Sequence, residues 1–108
     1  MLKTYATLRE IQHDLQQGVL STQDLVRSHL ENIKQKAHLN AFLSVYEDEA
    51  LTRAQEVDKK IKQGKAGKLA GLIVGLKDVL AYKVHPLQAS SKILKGFVSQ
   101  FNGTAVQR

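Results

Sequence analysis

Leu69-Ala70-Gly71-Leu72-Ile73-Val74-Gly75-Leu76-Lys77-Asp78 is the stretch on which the reading of this chain turns. From Leu72 to Leu76 no side chain is charged or polar. A short continuous apolar run of this kind reads as a strand buried on both faces. Such a strand expects neighbours on both edges and layers on both faces. A chain this short offers one or two partners, so open edges and incomplete cover are expected. Lys77, directly after the run, is the candidate functional residue. An ammonium there must reach water, meet a carboxylate or give up its proton, because desolvation disfavours the charged form. A lysine that gives up its proton readily serves as a general base near neutral pH. The plainer alternative is a solvated strand end whose turn is shaped by Asp78.

Toward the N-terminus, Gly64 to Gly67 forms a short polar loop, and Glu47 to Gln63 has the pattern of a helix. Ala50, Ala54, Val57 and Ile61 make its apolar stripe, and Gly64 is its expected C′ residue. Glu49–Arg53, Glu56–Lys60 and Asp58–Lys62 are spaced as favourable i,i+4 pairs. Ala41 to Tyr46 reads as a short strand with Ala41, Leu43 and Val45 on one side. Ser21-Thr22-Gln23-Asp24 is close to a capping box and opens a helix to about Lys36, with Leu25, Val26, Leu30 and Ile33 inward. His29 lies on that same face and is expected at the core or its boundary. Thr7 caps a first helix that buries Leu8, Ile11 and Leu15 and stops at Gly18. Beyond Asp78 the pattern is less regular. Ser90 or Ser91 is expected to start a short helix through Leu94, stopped by Gly96, and Asn102-Gly103-Thr104 is a further helix start. A strand, a crossover helix and a second strand imply a βαβ unit. The expected fold class is therefore α/β: about three main helices and two short strands, an incomplete piece of a sheet.

The 108 residues suffice for one domain, and cysteine is absent, which excludes disulfides and thiol chemistry. No apolar run approaches the roughly 18 residues of a membrane span. Met1 to Tyr5 is not followed by the apolar core of a signal peptide. A cytoplasmic protein is expected. The formal charge is +6, with Lys59, Lys60, Lys62, Lys65 and Lys68 in one cluster. After Asp78 there is no acidic residue, only Lys83, Lys92, Lys95 and Arg108. Such a surface attracts nucleic acid through counterion release. No aromatics interleave with these lysines as single-strand binding would require, so a solvated basic face is the favoured reading.

Leu69 to Asp78 resembles the motif L-A-G-I-P-x-x-I-K-D of the amidase-signature family. Four further blocks follow that family in order. Leu39-Asn40-Ala41-Phe42 and Glu49-Ala50-Leu51-Thr52-Arg53-Ala54 lie upstream. Ser91-Lys92-Ile93-Leu94 with Phe97-Val98, and Gly103-Thr104-Ala105-Val106-Gln107-Arg108, lie downstream. The resemblance covers residues 7 to 108. It implies that 1–38 is an N-terminal helical segment and that 39–108 begins the family's α/β core, truncated at its C-terminus. By resemblance Lys77 is the base of a catalytic triad completed by a serine with a cis peptide bond and a nucleophilic serine. The Gly/Ser-rich signature that carries both serines is absent, so the chain alone is expected to be inactive.

The blocks look most like the branch whose members release ammonia from glutamine for amidation of misacylated tRNA. That branch implies partner B and C subunits, with ATP and magnesium used by the partner and no cofactor or metal bound by this chain. Ser91 matches a structural serine of the family, and no nucleophilic role is assigned to Ser90 or Ser91. Ile73 stands where the family has proline, Val79 where it has asparagine, and Leu87-Gln88 where it has two threonines. Gln100-Phe101-Asn102 replaces P-Y-D, so a second proline is lost. These departures bear on the loop after the apolar run. A small-molecule amidase of the same family, or a free-standing basic helical module, would share much of this pattern.

Overall fold

A computed structural model describes residues 4–108. The chain divides into two compact units, the first ending at Ile73 and the second running from Val74 to Arg108. Within the first unit, residues on either side of position 38 pack together: the helix after residue 46 shares an apolar interface with the helix before residue 36.

The first unit holds α1 (Leu8–Gln16), α2 (Thr22–Gln35), a 3-10 turn (Ala37–Leu39) and α3 (Glu47–Lys62). Their starts are where the capping chemistry places them. Thr7 Oγ1 accepts the Glu10 N–H at 3.2 Å, and Ser21 Oγ accepts the Asp24 N–H at 3.1 Å. Each satisfies one of the N–H groups that a helix start leaves without an internal partner. Tyr5 donates its hydroxyl to Asp14 at 2.7 Å; chiefly through that bond, its pKa is pushed up to about 12.

Two apolar clusters form the core of this unit. Leu15, Leu20 and Leu25 make one, with Tyr5, Ile11, Ile61 and Ile73 against it. Val26, Leu30 and Ala54 make the other, with Ala50, Leu51 and again Ile73. Ala54, 2% exposed, is the small residue that lets α2 and α3 approach. Each buried leucine contributes about 1.5–3 kcal/mol of transfer free energy. His29 departs from expectation. It is exposed, its Nδ1 2.8 Å from the Leu25 carbonyl one turn earlier, because Leu25, Val26 and Leu30 already fill the inward stripe.

Asp58 also departs from its expected surface pairing with Lys62. Its carboxylate accepts the Thr22 N–H at 2.8 Å and the Gln23 N–H at 3.4 Å. A carboxylate of α3 therefore caps α2, where the helix dipole favours negative charge. Arg53 pairs with Glu56 at 3.0 Å, an exposed contact worth a few tenths of a kcal/mol.

Among the described residues there is no strand; the single bridge is antiparallel, Pro86 to Val98. Residues 41–46 are exposed and irregular, and residues 72–76 run without regular structure. Strand geometry needs ladder partners for its N–H and C=O groups, and neither segment finds a row of them here. Leu72, Val74 and Leu76 remain 46%, 63% and 44% exposed. The chain reaches that run through Gly71, whose φ is +91° and whose missing Cβ would lie 2.6 Å from Leu15 Cδ1. Gln12 holds the preceding loop by donating to the carbonyls of Lys68 and Ala70 at 2.9 and 3.2 Å.

Two expected outcomes follow from this packing. Gly71→Ala forces both an unfavourable φ and a shift of a buried leucine, and is expected to cost roughly 1–3 kcal/mol in urea unfolding. Asp58→Ala strips two N–H groups of their acceptor and is expected to cost about 1 kcal/mol in the same measurement. An unchanged midpoint would remove the cross-helix cap from the account.

Candidate functional site

Lys77 lies in the second unit, four residues after Ile73. The apolar run delivers it, and a turn then fixes its backbone: the Leu80 N–H donates to the Lys77 carbonyl at 2.9 Å. The side chain is exposed. None of the ion pairs or hydrogen bonds among the described residues engages its ammonium. It is held by its main chain and left open at its tip.

Asp78 is tied at both its ends. Its carbonyl accepts the Ala89 N–H at 3.0 Å, and its Oδ1 accepts the Gln88 N–H at 3.1 Å. The residue after the candidate base thus anchors the loop at 86–91. That loop is tightly folded: Ala89 and Ser90 have φ of 49° and 60°. Left-handed backbone at two successive non-glycine residues costs energy and persists only where the surroundings impose it.

The same backbone explains a correction. The short helix expected from Ser90 or Ser91 to Leu94 is a string of turns. Ser91 donates to Gln88, Leu94 to Ser91, Lys95 to Lys92 and Phe97 to Leu94, each three residues back. A helix start needs an extended N-cap, and Ser90 at φ 60° cannot supply one. Gly96, at φ 86°, takes the chain out of these turns.

The remaining framework is main-chain pairing. Val84 donates to the Ser99 carbonyl at 2.7 Å, Ser99 to His85 at 3.0 Å and Leu87 to Phe97 at 3.1 Å. Residues 84–87 thereby lie along residues 97–99 in the segment that resembles S-K-x-L-x-x-F-V. Lys83 donates its N–H to Asn102 Oδ1 at 2.8 Å, and Gly103 donates to Ala81 at 2.8 Å. The expected helix start at Asn102-Gly103-Thr104 opens α4 (Thr104–Gln107). Tyr82 and His85 stack with ring centroids 3.9 Å apart.

Ser99 is placed for structure. It is 1% exposed, and its Oγ donates to the Phe101 carbonyl at 2.7 Å. An enclosed hydroxyl with a short bond to a carbonyl has neither the access nor the base that a nucleophile needs. Ser91 is half-buried, its N–H spent on the Gln88 carbonyl at 2.9 Å. Among the described residues no three His, Asp or Glu side chains converge as metal ligands, and no helix is long and apolar enough to cross a membrane. What sequence reasoning missed is the Asp78 tether. Its only signal was the replaced threonine pair at Leu87-Gln88, which marked this loop as the place to look.

Comparison with known proteins agrees with the motif. The amidase family model matches residues 24–108. A protein named as the A subunit of glutamyl-tRNA(Gln) amidotransferase, from Chlorobium phaeobacteroides (strain BS1), is 34% identical over 105 residues, covering 96% of this chain and 22% of that protein. Its namesake from Chlorobium chlorochromatii (strain CaD3) is 39% identical over 108 residues, 99% of this chain and 22% of that protein. The mitochondrial namesake from Rattus norvegicus is 38% identical over 103 residues, 94% of this chain and 20% of that protein. The chain spans about a fifth of the length of the curated relatives it matches, and no solved structure matches it. With the model match taking in Lys77, Asp78 and the loop they anchor, the chain belongs to the amidase family.

Proposed function

We propose that this chain is the base-bearing N-terminal segment of the glutamine-hydrolysing A subunit of an aspartyl/glutamyl-tRNA amidotransferase. The observation that carries the reading is the Lys77-Asp78 pair, at the end of an apolar run inside the matched stretch, with relatives named as that subunit along almost the whole chain.

In this reading Lys77 is the base of a Ser-cisSer-Lys triad. Its neutral amine takes a proton from the first serine, which takes one from the second, and the second serine's oxygen attacks the side-chain amide carbon of glutamine. Collapse of the adduct breaks the C–N bond, the relayed proton leaves with ammonia, and water then releases glutamate from the acyl-serine. Both serines belong to the part of the family that residues 1–108 do not include, and backbone amides near them supply the oxyanion donors. The ammonia passes to the B subunit, which activates the acyl group on Glu-tRNA(Gln) or Asp-tRNA(Asn) with ATP and magnesium; the C subunit completes the complex. This chain's own share of the chemistry is to hold the amine at the end of the run and to keep its tip unpaired.

The same reading supplies the α/β class. Residues 72–76 become a strand when the larger protein provides ladder partners on their edges, which would also cover Leu72, Val74 and Leu76. The site of action is the compartment where misacylated tRNA is corrected, here the cytoplasm.

The test is a glutaminase assay on residues 1–108 beside the complete open reading frame co-expressed with the B and C subunits. Activity is expected only in the assembled protein. There, Lys77→Ala is expected to lower glutamine hydrolysis by about three orders of magnitude or more with the thermal midpoint little changed. Lys77→Arg is expected to be equally inactive, since a guanidinium stays protonated. Turnover of small amides but not glutamine would move the chain to another branch of the family, and activity in the 108-residue chain would refute the missing serines.

A further inference from the structure

We propose that Asp78 is a positioning residue, one that holds the 86–91 loop to the base-bearing turn through main-chain hydrogen bonds and acts on Lys77 through geometry, not charge. This deepens the amidase reading and rests on it for its functional consequence.

Four observations carry the inference. Asp78 is the one acidic residue between Val74 and Arg108, among Lys77, Lys83, Lys92, Lys95 and Arg108. A lone carboxylate in so basic a unit has every opportunity for an ion pair. None of the ion pairs among the described residues takes it. Its Oδ1 goes instead to an uncharged donor, the Gln88 N–H at 3.1 Å, and the bond is partly buried.

The second observation is the parallel bond from the Ala89 N–H to the Asp78 carbonyl at 3.0 Å. Two successive amides of the loop thus close on one residue, a two-point attachment that fixes orientation as well as distance. Third, the loop is strained at the very next positions, with φ of 49° at Ala89 and 60° at Ser90. Strained backbone needs an external hold, and the Asp78 contacts provide one at its edge. Fourth, Leu80 closes the other side of the turn on the Lys77 carbonyl at 2.9 Å. The peptide between Lys77 and Asp78 is therefore pinned by the turn on one side and by the loop on the other.

The tether also accounts for a departure in the sequence. Leu87 and Gln88 replace two threonines of the family motif. Both side-chain types leave the backbone N–H untouched, and the N–H is what Asp78 and Phe97 receive from. The loop can change its side chains and keep its place.

The experiment separates acceptor from charge. Asp78→Ala removes the acceptor, whereas Asp78→Asn keeps an oxygen in place and removes the charge. In the 15N-labelled chain, Gln88 amide exchange is expected to accelerate in Asp78→Ala and to stay close to the unsubstituted rate in Asp78→Asn. In the assembled protein, Asp78→Ala is expected to lower kcat for glutamine by roughly 100-fold, the scale of a base displaced by about 1 Å. KM is expected to change little, and Asp78→Asn to recover most of the lost rate with the acid limb of the pH–rate profile unmoved. Loss of activity in Asp78→Asn together with a shifted acid limb would overturn the proposal in favour of a charge effect on Lys77. Fast Gln88 exchange in Asp78→Asn would overturn it independently of any activity, even should Asp78→Ala fold poorly. Retained glutaminase in a Lys77→Ala control would sink the amidase reading while leaving the exchange result to judge the tether.

Discussion

Ile73 packs against both apolar clusters of the helical unit, and the closing of that unit depends on the contact. It ends the segment that α1, α2 and α3 bury, and Lys77 follows four residues later. A β-branched side chain there is stiff about χ1 and makes a well-defined plug. Gly71 makes the approach feasible, because a side chain at φ +91° would press on Leu15. In the family motif the position of Ile73 is proline, which fixes the backbone by its ring. Here the anchor is side-chain packing. The two solutions constrain the same short stretch by different physics.

The helical unit is largely legible in the sequence. Thr7, Ser21 and Gly64 mark helix ends by local chemistry, and local chemistry survives whatever the rest of the chain does. The inward stripes at Leu15, Leu25, Val26, Leu30 and Ala54 follow from a period of 3.6 residues. His29 failed because a position at the edge of a stripe is decided by what neighbours fill it. Asp58 failed for a related reason. Spacing within α3 offered it Lys62, but the start of α2 offered two N–H donors. A carboxylate that accepts hydrogen bonds at a helix N-terminus gains more than an exposed ion pair does.

The segments read as strands teach a different lesson. Apolar content at 72–76 is a statement about surroundings that such a run would favour, and a ladder requires partners. Where partners are absent, the same residues stay exposed and irregular, as Val74 at 63% exposure does. Of the candidate site the sequence offers the place of Lys77 at the end of the run, an identification that leans on five motif blocks in order; the Asp78 tether it does not offer. Bonds from the N–H groups of Gln88 and Ala89 leave no trace in side-chain identity, because every residue but proline carries the same donor.

That last point bears on how this second unit tolerates change. Its buried apolar content is small: among the described residues past Ile73 only Ala81 is a buried hydrophobe, and Phe97 and Phe101 are 42% and 64% exposed. Its order comes instead from paired amides at 84–87 and 97–99 and from the Ser99 hydroxyl. A framework of that kind holds a shape without prescribing most side chains. Its departures from the family pattern at Val79, Leu87, Gln88 and 100–102 fall on residues whose side chains carry little of that framework, with one exception. Asn102 stands where the family has aspartate and keeps a side-chain oxygen, which accepts the Lys83 N–H at 2.8 Å. Where a side chain is needed as an acceptor, the replacement preserves the oxygen, and where only the backbone is needed, the side chain has drifted. Lys77 and Asp78 both match the family motif, and the Asp78 side chain is likewise an acceptor, for the Gln88 N–H at 3.1 Å.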